Sequence, residues 1–486
     1  MARTSQDAFD AAAPARLAVV ANDEADLTAK LEQAAKSIES DPAQSFQSPT
    51  GIYYGIGQSA GEGGLAYLFS GQGSQYLHMG GAVAMQFGQA LGPWDRAANF
   101  EWDDSSRLHH VVFPPTAFDE ESKQEQQRNL AATEWAQPAI GCMSLSLLRL
   151  LDGLGLHADC FAGHSFGEVT ALHAAGVISE KDFLAVARRR GELMAEAAVT
   201  PGAMIAVAQP IERIRSLLER WDARVVIANH NAPDQVVLSG ETTEIETIEK
   251  KLAEEQINAR RLPVATAFHS PVVEKASGAF GEYLAEVEFA TPERPVYSNT
   301  TGRVHDESAA ALRSKLALQL ASPVKFVDMI ESMYEAGIRS FVEVGPGSVL
   351  TGLVGRILED RPHVAVNLDR KGKDGVRSLF EALARISVEG LTLDFASLWS
   401  EFALPENPND REEPKLKIPL GGSNYGKPYP PKGGAAELPE TNPPREKQVE
   451  TLYVEVPNSE PAAVASAPVL PQPAIVPQPA LIPPTA

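Results

Sequence analysis

The sequence predicts an α/β protein, in which helices cover a largely parallel sheet and a second, smaller sheet-and-helix unit is inserted into the layers. Two observations carry this. Between Leu65 and about Arg361, short apolar runs (AYLFS, ADCFAG, RSFVEVG) alternate with amphipathic stretches such as AIGCMSLSLLRLLDGL, the pattern of strands each followed by a helix. Within that stretch, from about 203 to 265, the order changes. MIAVA reads as a strand, PIERIRSLLERW as a helix opened by proline, RVVIANHN and QVVLSG as strands joined by the turn APD, TEIETIEKKLAEEQ as a helix, and RRLPVA as a last strand. That order is βαββαβ, a ferredoxin-like unit.

Composition divides the remainder. At roughly 150 residues per domain, 486 residues suggest about three folded units. Residues 1–62 hold the strand-like RLAVVA, a helical run from Ala25 to Ile38 and the glycine-rich GIYYGIGQSAGEGG, read as a loop, so a small linker module is expected there. The body then occupies 63–202 and 266–361, on either side of the insert at 203–265. From 362 to 429 the chain reads as a second linker, and from 430 as a disordered tether, because proline and alanine at that density favour extended conformations over helix or sheet. A tether implies an attached neighbour.

Charge and cysteine usage exclude several functions. Lys and Arg number 42 against 64 Asp and Glu, a formal charge of −22, so nucleic acid is not an expected partner. The apolar run Leu17 to Ala21 is too short for a signal peptide or a membrane span. Cys142 and Cys160 lack CxxC spacing, which suggests neither a zinc site nor a disulfide and points to a reducing, cytoplasmic setting. LFSGQGSQYLHMG lacks the GK[ST] of a phosphate loop, GIGQSAG lacks dinucleotide spacing and no HExxH occurs, so no nucleotide, metal or redox cofactor is expected.

Three features carry chemistry. In DCFAGHSFGEVTALHAAG an apolar run reaches Gly163, His164, Ser165, Phe166 and Gly167, and a helical stretch follows, which is the layout of a nucleophile elbow. A plain glycine turn after a buried strand would read the same way. Ser165 would need a base. His164 sits in the turn itself and is expected to pack or hydrogen-bond locally, which leaves His269 in VATAFHSPVV as the better candidate, weighed against a satisfied core histidine. In KDFLAVARRRGELMAEAA, Phe183, Ala187, Arg190 and Met194 share one helix face, so Arg190 lies on the apolar side. A buried guanidinium needs an anion. That anion is either an internal Asp or Glu or a substrate carboxylate held by the planar fork.

In order along the chain, FSGQGSQ, WAQPAI, GHSFGE, the RG at Arg190 and Gly191, NHNAPDQVVLSG, TAFHSP and VEVGPGSVLTGL resemble the acyltransferase domain of fatty acid and polyketide synthases, over about 65 to 360. The flanks are similar to those of the bacterial polyunsaturated fatty acid synthase acyltransferase region. The resemblance implies an α/β-hydrolase-like body with the ferredoxin-like insert, Ser165 as nucleophile and His269 as its base. It also implies a main-chain carbonyl, assigned to Ser348, that orients the imidazole, and an oxyanion hole from the N–H groups of Gln72 and Phe166. Arg190 would bind the malonyl carboxylate, with Gln137 and Asn229 lining the site. Phe268 disfavours a branched unit, although Thr266 stands where malonyl-selective domains usually have histidine. Implied partners are malonyl-CoA, acyl carrier protein domains and a neighbouring ketosynthase, with Arg260 and Arg261 as a basic docking pair that could instead balance nearby glutamates. A serine hydrolase or thioesterase on the same elbow, or a degenerate docking domain, is the competing reading.

Overall fold

The computed structural model describes residues 1–57, 63–102, 106–197, 201–262, 264, 266–305, 308–400, 402 and 432–433. Near the N-terminus, β1 (Ala15–Val19), β2 (Phe46–Ser48) and β3 (Ile52–Ile56) form an antiparallel sheet in the order β1-β3-β2. The helix Glu24–Ser40 begins at Asp23, whose carboxylate accepts from the Asp26 amide. The start of GIYYGIGQSAGEGG, expected to be loop, is therefore the central strand of this sheet. Ile52, Tyr53 and Tyr54 are β-prone and buried, and the flanking glycines had masked them.

The body is built on β4 (Gly64–Phe69) and β5 (Cys160–Gly163), which pair in parallel. Alternation along β4 assigns its two faces. Leu65, Tyr67 and Phe69 enter the larger core with the helices Thr133–Gly153 and Glu180–Glu196, while Ala66 and Leu68 enter a second core on the opposite side.

The insert follows: β6 (Gly202–Val207), β7 (Val226–Ala232), β8 (Gln235–Glu241) and β9 (Ala259–Arg261), with the helices Ile211–Arg220 and Thr242–Glu254 between them. Its neighbours are antiparallel, in the order β7-β8-β6-β9. Ile205, Ile214, Leu238, Ile245, Ile248 and Leu252 give it a core of its own. Pro263 and Ala265, part of the expected last strand, lie outside the described residues.

From the body, β10 (Val324–Lys325) adds to β7 in parallel, and β11 (Ile338–Glu343) and β12 (Val364–Asn367) complete the main sheet as β12-β11-β4-β5, all parallel. Residues from 362 were expected to be linker, and here the structure differs. β12 closes the sheet, and the helix Gly375–Val388, capped by Asp374, packs against β1 and β3. Arg16, almost fully buried, donates from Nε and Nη2 to the Val388 carbonyl at 3.0 and 2.8 Å, fastening the N-terminal sheet to that helix. The short run VAVNL was lost in a composition dominated by the prolines further on. The expected tether from 430 lies outside the described residues except for 432–433.

Cys142 and Cys160 are free and buried, and burial pushes both thiols up. Among the described residues no helix is long and apolar enough to cross a membrane. The architecture is the α/β body with a ferredoxin-like insert that the sequence pattern predicts, and it agrees with the α/β-hydrolase-like body that the resemblance implies.

Candidate active site

β5 ends at Gly163, and the next helix starts at Gly167. Only a tight turn can make that reversal, and Ser165 takes its strained position at φ 52°, in the left-handed region. For a non-glycine residue this costs on the order of 1–3 kcal/mol. The turn also needs bare backbone: a Cβ on Gly163 would lie 2.0 Å from the Gly167 carbonyl carbon. Asn299 holds the turn from the side. Its Oδ1 accepts from the Ser165 amide at 2.7 Å and its Nδ2 donates to the Gly163 carbonyl at 2.6 Å. The Asn299 amide in turn donates to Glu168, whose carboxylate meets His305 Nε2 at 2.6 Å, all three residues being buried.

Ser165 Oγ lies 2.8 Å from His269 Nε2. On the far side of the ring, Nδ1 faces the main-chain carbonyls of Gln319 at 3.1 Å and Ser322 at 2.9 Å. Carbonyl oxygens only accept, so Nδ1 carries the proton and Nε2 presents its lone pair to the serine hydroxyl. The orienting carbonyl was assigned to Ser348, and this is corrected. Ser348 opens the helix Val349–Leu358, and it is the end of the helix Ala309–Gln319 that reaches the imidazole. Burial, reinforced by the positive charge of Arg190, lowers the His269 pKa to about 3, so the ring is neutral.

Phe166 directly precedes the helix Gly167–Ala174, and Gln72 lies in the glycine turn after β4. Among the described residues neither main-chain amide has a hydrogen-bonded acceptor, which leaves both free to receive an oxyanion. His164 turns aside, its Nε2 lying 2.8 Å from Asn231 Oδ1.

Arg190 is fully buried. Nη1 donates to Gln137 Oε1 at 2.9 Å and Nη2 to Gln319 Oε1 at 2.8 Å, while Nε has no partner. Among the described residues no carboxylate forms an ion pair with it. Burial holds its pKa down at about 10, and Glu168 offsets this only from a distance. The internal Asp or Glu considered from the sequence is thus absent from its contacts.

A cleft of about 1490 Å³ opens over this centre, lined by Gln72, Ser165, Asn229, Phe268 and His269, with Arg260 toward the insert. Arg261 points elsewhere and forms a two-bond pair with Glu249 at 3.0 and 2.6 Å. The structure therefore separates the two arginines that the sequence reading paired.

Sequence reasoning missed Gln319, whose main-chain oxygen meets His269 and whose Nε2 donates to the Ser165 carbonyl at 2.8 Å. Leu312, Leu316 and Gln319 are spaced i, i+4, i+7, so a polar residue on a buried helix face, the signal that marked Arg190, was present here too. Asn299, in a turn-like SNTTG, gave no such signal.

The chain matches the acyl transferase domain family over residues 66–391. It is 33% identical over 405 residues to a polyunsaturated fatty acid synthase polypeptide of Thraustochytrium sp., a match that covers 80% of this chain and spans only 14% of that protein. It is 34% identical over 312 residues to the malonyl CoA-acyl carrier protein transacylase of Bacillus subtilis, covering 62% of this chain and 93% of the relative. Among solved structures, the acyltransferase domain from the second module of the salinomycin polyketide synthase is 32% identical with a TM-score of 0.69, over 81% of this chain and 89% of that one.

Proposed function

Because the chain belongs to the acyl transferase domain family, we propose that it moves a malonyl group from malonyl-CoA, through an ester on Ser165, to the phosphopantetheine thiol of an acyl carrier protein. The observation that carries this reading is a fully buried arginine with only neutral hydrogen-bond partners beside a hydrogen-bonded serine–histidine pair. A buried cation without an internal anion is costly, and a substrate carboxylate supplies one.

The chemistry follows from the geometry. As Ser165 Oγ attacks the thioester carbonyl, its proton passes to His269 Nε2, and the imidazolium is stabilised by the two carbonyls at Nδ1. The oxyanion takes the N–H groups of Gln72 and Phe166. Collapse breaks the carbon–sulfur bond, and the departing CoA thiolate takes the proton from Nε2. In the second half the carrier's thiol gives its proton to Nε2 and attacks the ester, and Ser165 recovers the proton. Arg190 holds the acid in one pose throughout, which favours the thiol over stray water. No metal or redox cofactor is required in this scheme. Phe268, on the cleft wall, limits branching at the acyl carbon, and Asn229 completes that wall. Arg260, at the mouth, is suited to an acidic carrier, and Arg261, spent on Glu249, is not. The carrier and a ketosynthase neighbour would belong to a larger synthase.

Arg190→Ala tests the acid selection. It is expected to cost malonyl transfer about 2–4 kcal/mol of transition-state stabilisation and to leave uncharged acyl-CoAs relatively better substrates. Unchanged preference in direct competition between malonyl-CoA and acetyl-CoA would show that Arg190 serves only the fold.

A further inference from the structure

Arg190 is closed off from the cleft. Neither it nor Gln137 lines the cavity, whereas Met194, one helical turn further along the same face, does. Met194 Sδ lies 3.3 Å from Arg190 Nη1 and 3.3 Å from Gln137 Nε2. Two N–H donors, one of them cationic, therefore converge on a thioether, a weak acceptor. Around the rest of the guanidinium, Gln137 and Gln319 supply neutral oxygens and Nε has no partner. The weakest contact of the buried cation is thus the one that faces the cleft.

We propose that Met194 is a specificity-determining residue whose thioether covers Arg190 and gives way to the carboxylate of an acidic acyl group. This rests on the acid-transfer reading above. Methionine is unbranched with three rotatable bonds, so it can swing aside without moving the helix. A carboxylate oxygen at Nη1 replaces a weak N–H···S contact with a charge-assisted bond. When the acyl group is uncharged nothing displaces the sulfur, and Met194 stays in place with Met204 and Phe268 as apolar wall. The pocket then answers two kinds of acyl group with two positions of one side chain.

The full chain contains eight methionines, few enough to follow individually by methyl ¹³C NMR. The Met194 resonance is assigned by its loss in Met194→Leu, and spectra are compared before and after loading with malonyl-CoA, with mass spectrometry confirming the ester on Ser165. The Met194 methyl signal is expected to move on malonyl loading in the wild type and to hold its place with acetyl-CoA. In kinetics, Met194→Leu, which keeps the bulk and removes the sulfur, is expected to raise the malonyl-to-acetyl ratio of kcat/KM about 3–10-fold through a lower KM for malonyl-CoA. A Ser165 malonyl ester with an unmoved Met194 signal and an unchanged ratio would overturn the cover and leave the acid-transfer reading standing. If Ser165 takes no malonyl group at all, that reading fails and the cover falls with it.

Discussion

Gln319 Oε1 accepts a hydrogen bond from Arg190 Nη2 at 2.8 Å, and the same residue reaches Ser165 through its side-chain amide and His269 through its main-chain oxygen. One residue therefore ties the buried guanidinium to both members of the hydrogen-bonded serine–histidine pair. Because Arg190 can only donate and the Ser165 carbonyl can only accept, the orientation of the Gln319 amide is determined by chemistry.

Gln319→Glu should turn this link into an internal counterion. The new carboxylate would satisfy Arg190 and lose the donor to the Ser165 carbonyl. The preference for malonyl-CoA over acetyl-CoA is expected to fall by about tenfold or more, equivalent to about 1.4 kcal/mol, in competition assays. An unaltered preference in a folded variant would mean that the anion held by Arg190 is not the substrate's.

The low pKa of His269 has a signed consequence. Its folded value of about 3 lies below the ordinary 6.5, so between those limits the unfolded chain binds a proton that the folded one does not. Stability from this group is complete above pH 6.5 and is lost as pH falls toward 3, at no more than about 1.4 kcal/mol per unit. Thermal melts from pH 7 to 4 should therefore fall more steeply for the wild type than for His269→Asn. The acylation rate of Ser165 should show no inflection near 6.5. An inflection there would place a freely titrating histidine at the site.

Gly163→Ala should disable the elbow from within its backbone. The added Cβ would meet the Gly167 carbonyl carbon at 2.0 Å, and backbone cannot yield as a flexible side chain does. The melting temperature is expected to drop by several degrees, for a cost of about 1–3 kcal/mol, and acylation of Ser165 by more than tenfold. A variant with wild-type melting and rate would show that the turn has slack.

What the sequence disclosed followed periodicity and local motif. Three strands of the main sheet (β4, β5 and β11), the βαββαβ order of the insert, Ser165 in its glycine turn and Arg190 on its apolar helix face were legible from spacing and flanking glycines, whereas the choice of His269 as the base rested on the resemblance to the acyltransferase family. What stayed hidden depends on contacts distant in sequence. Asn299 reaches the elbow because Phe161 bridges to Val296, and nothing in SNTTG announces that pairing. Gln319 and Ser322 replaced Ser348 as the partners of His269 because a helix end, not a conspicuous glycine turn, arrives at the ring. β12 and the helix Gly375–Val388 were overlooked because composition was averaged across a boundary that packing against the N-terminal sheet defines.

Mass spectrometry of the intact and digested protein after mixing with malonyl-CoA tests the assignment of the nucleophile most directly. One malonyl group is expected, on Ser165, discharged when a carrier protein bearing the phosphopantetheine thiol is added, and absent from Ser165→Ala. A Ser165→Ala protein that still accumulates the adduct on another residue, or a wild type that acquires none, would contradict it.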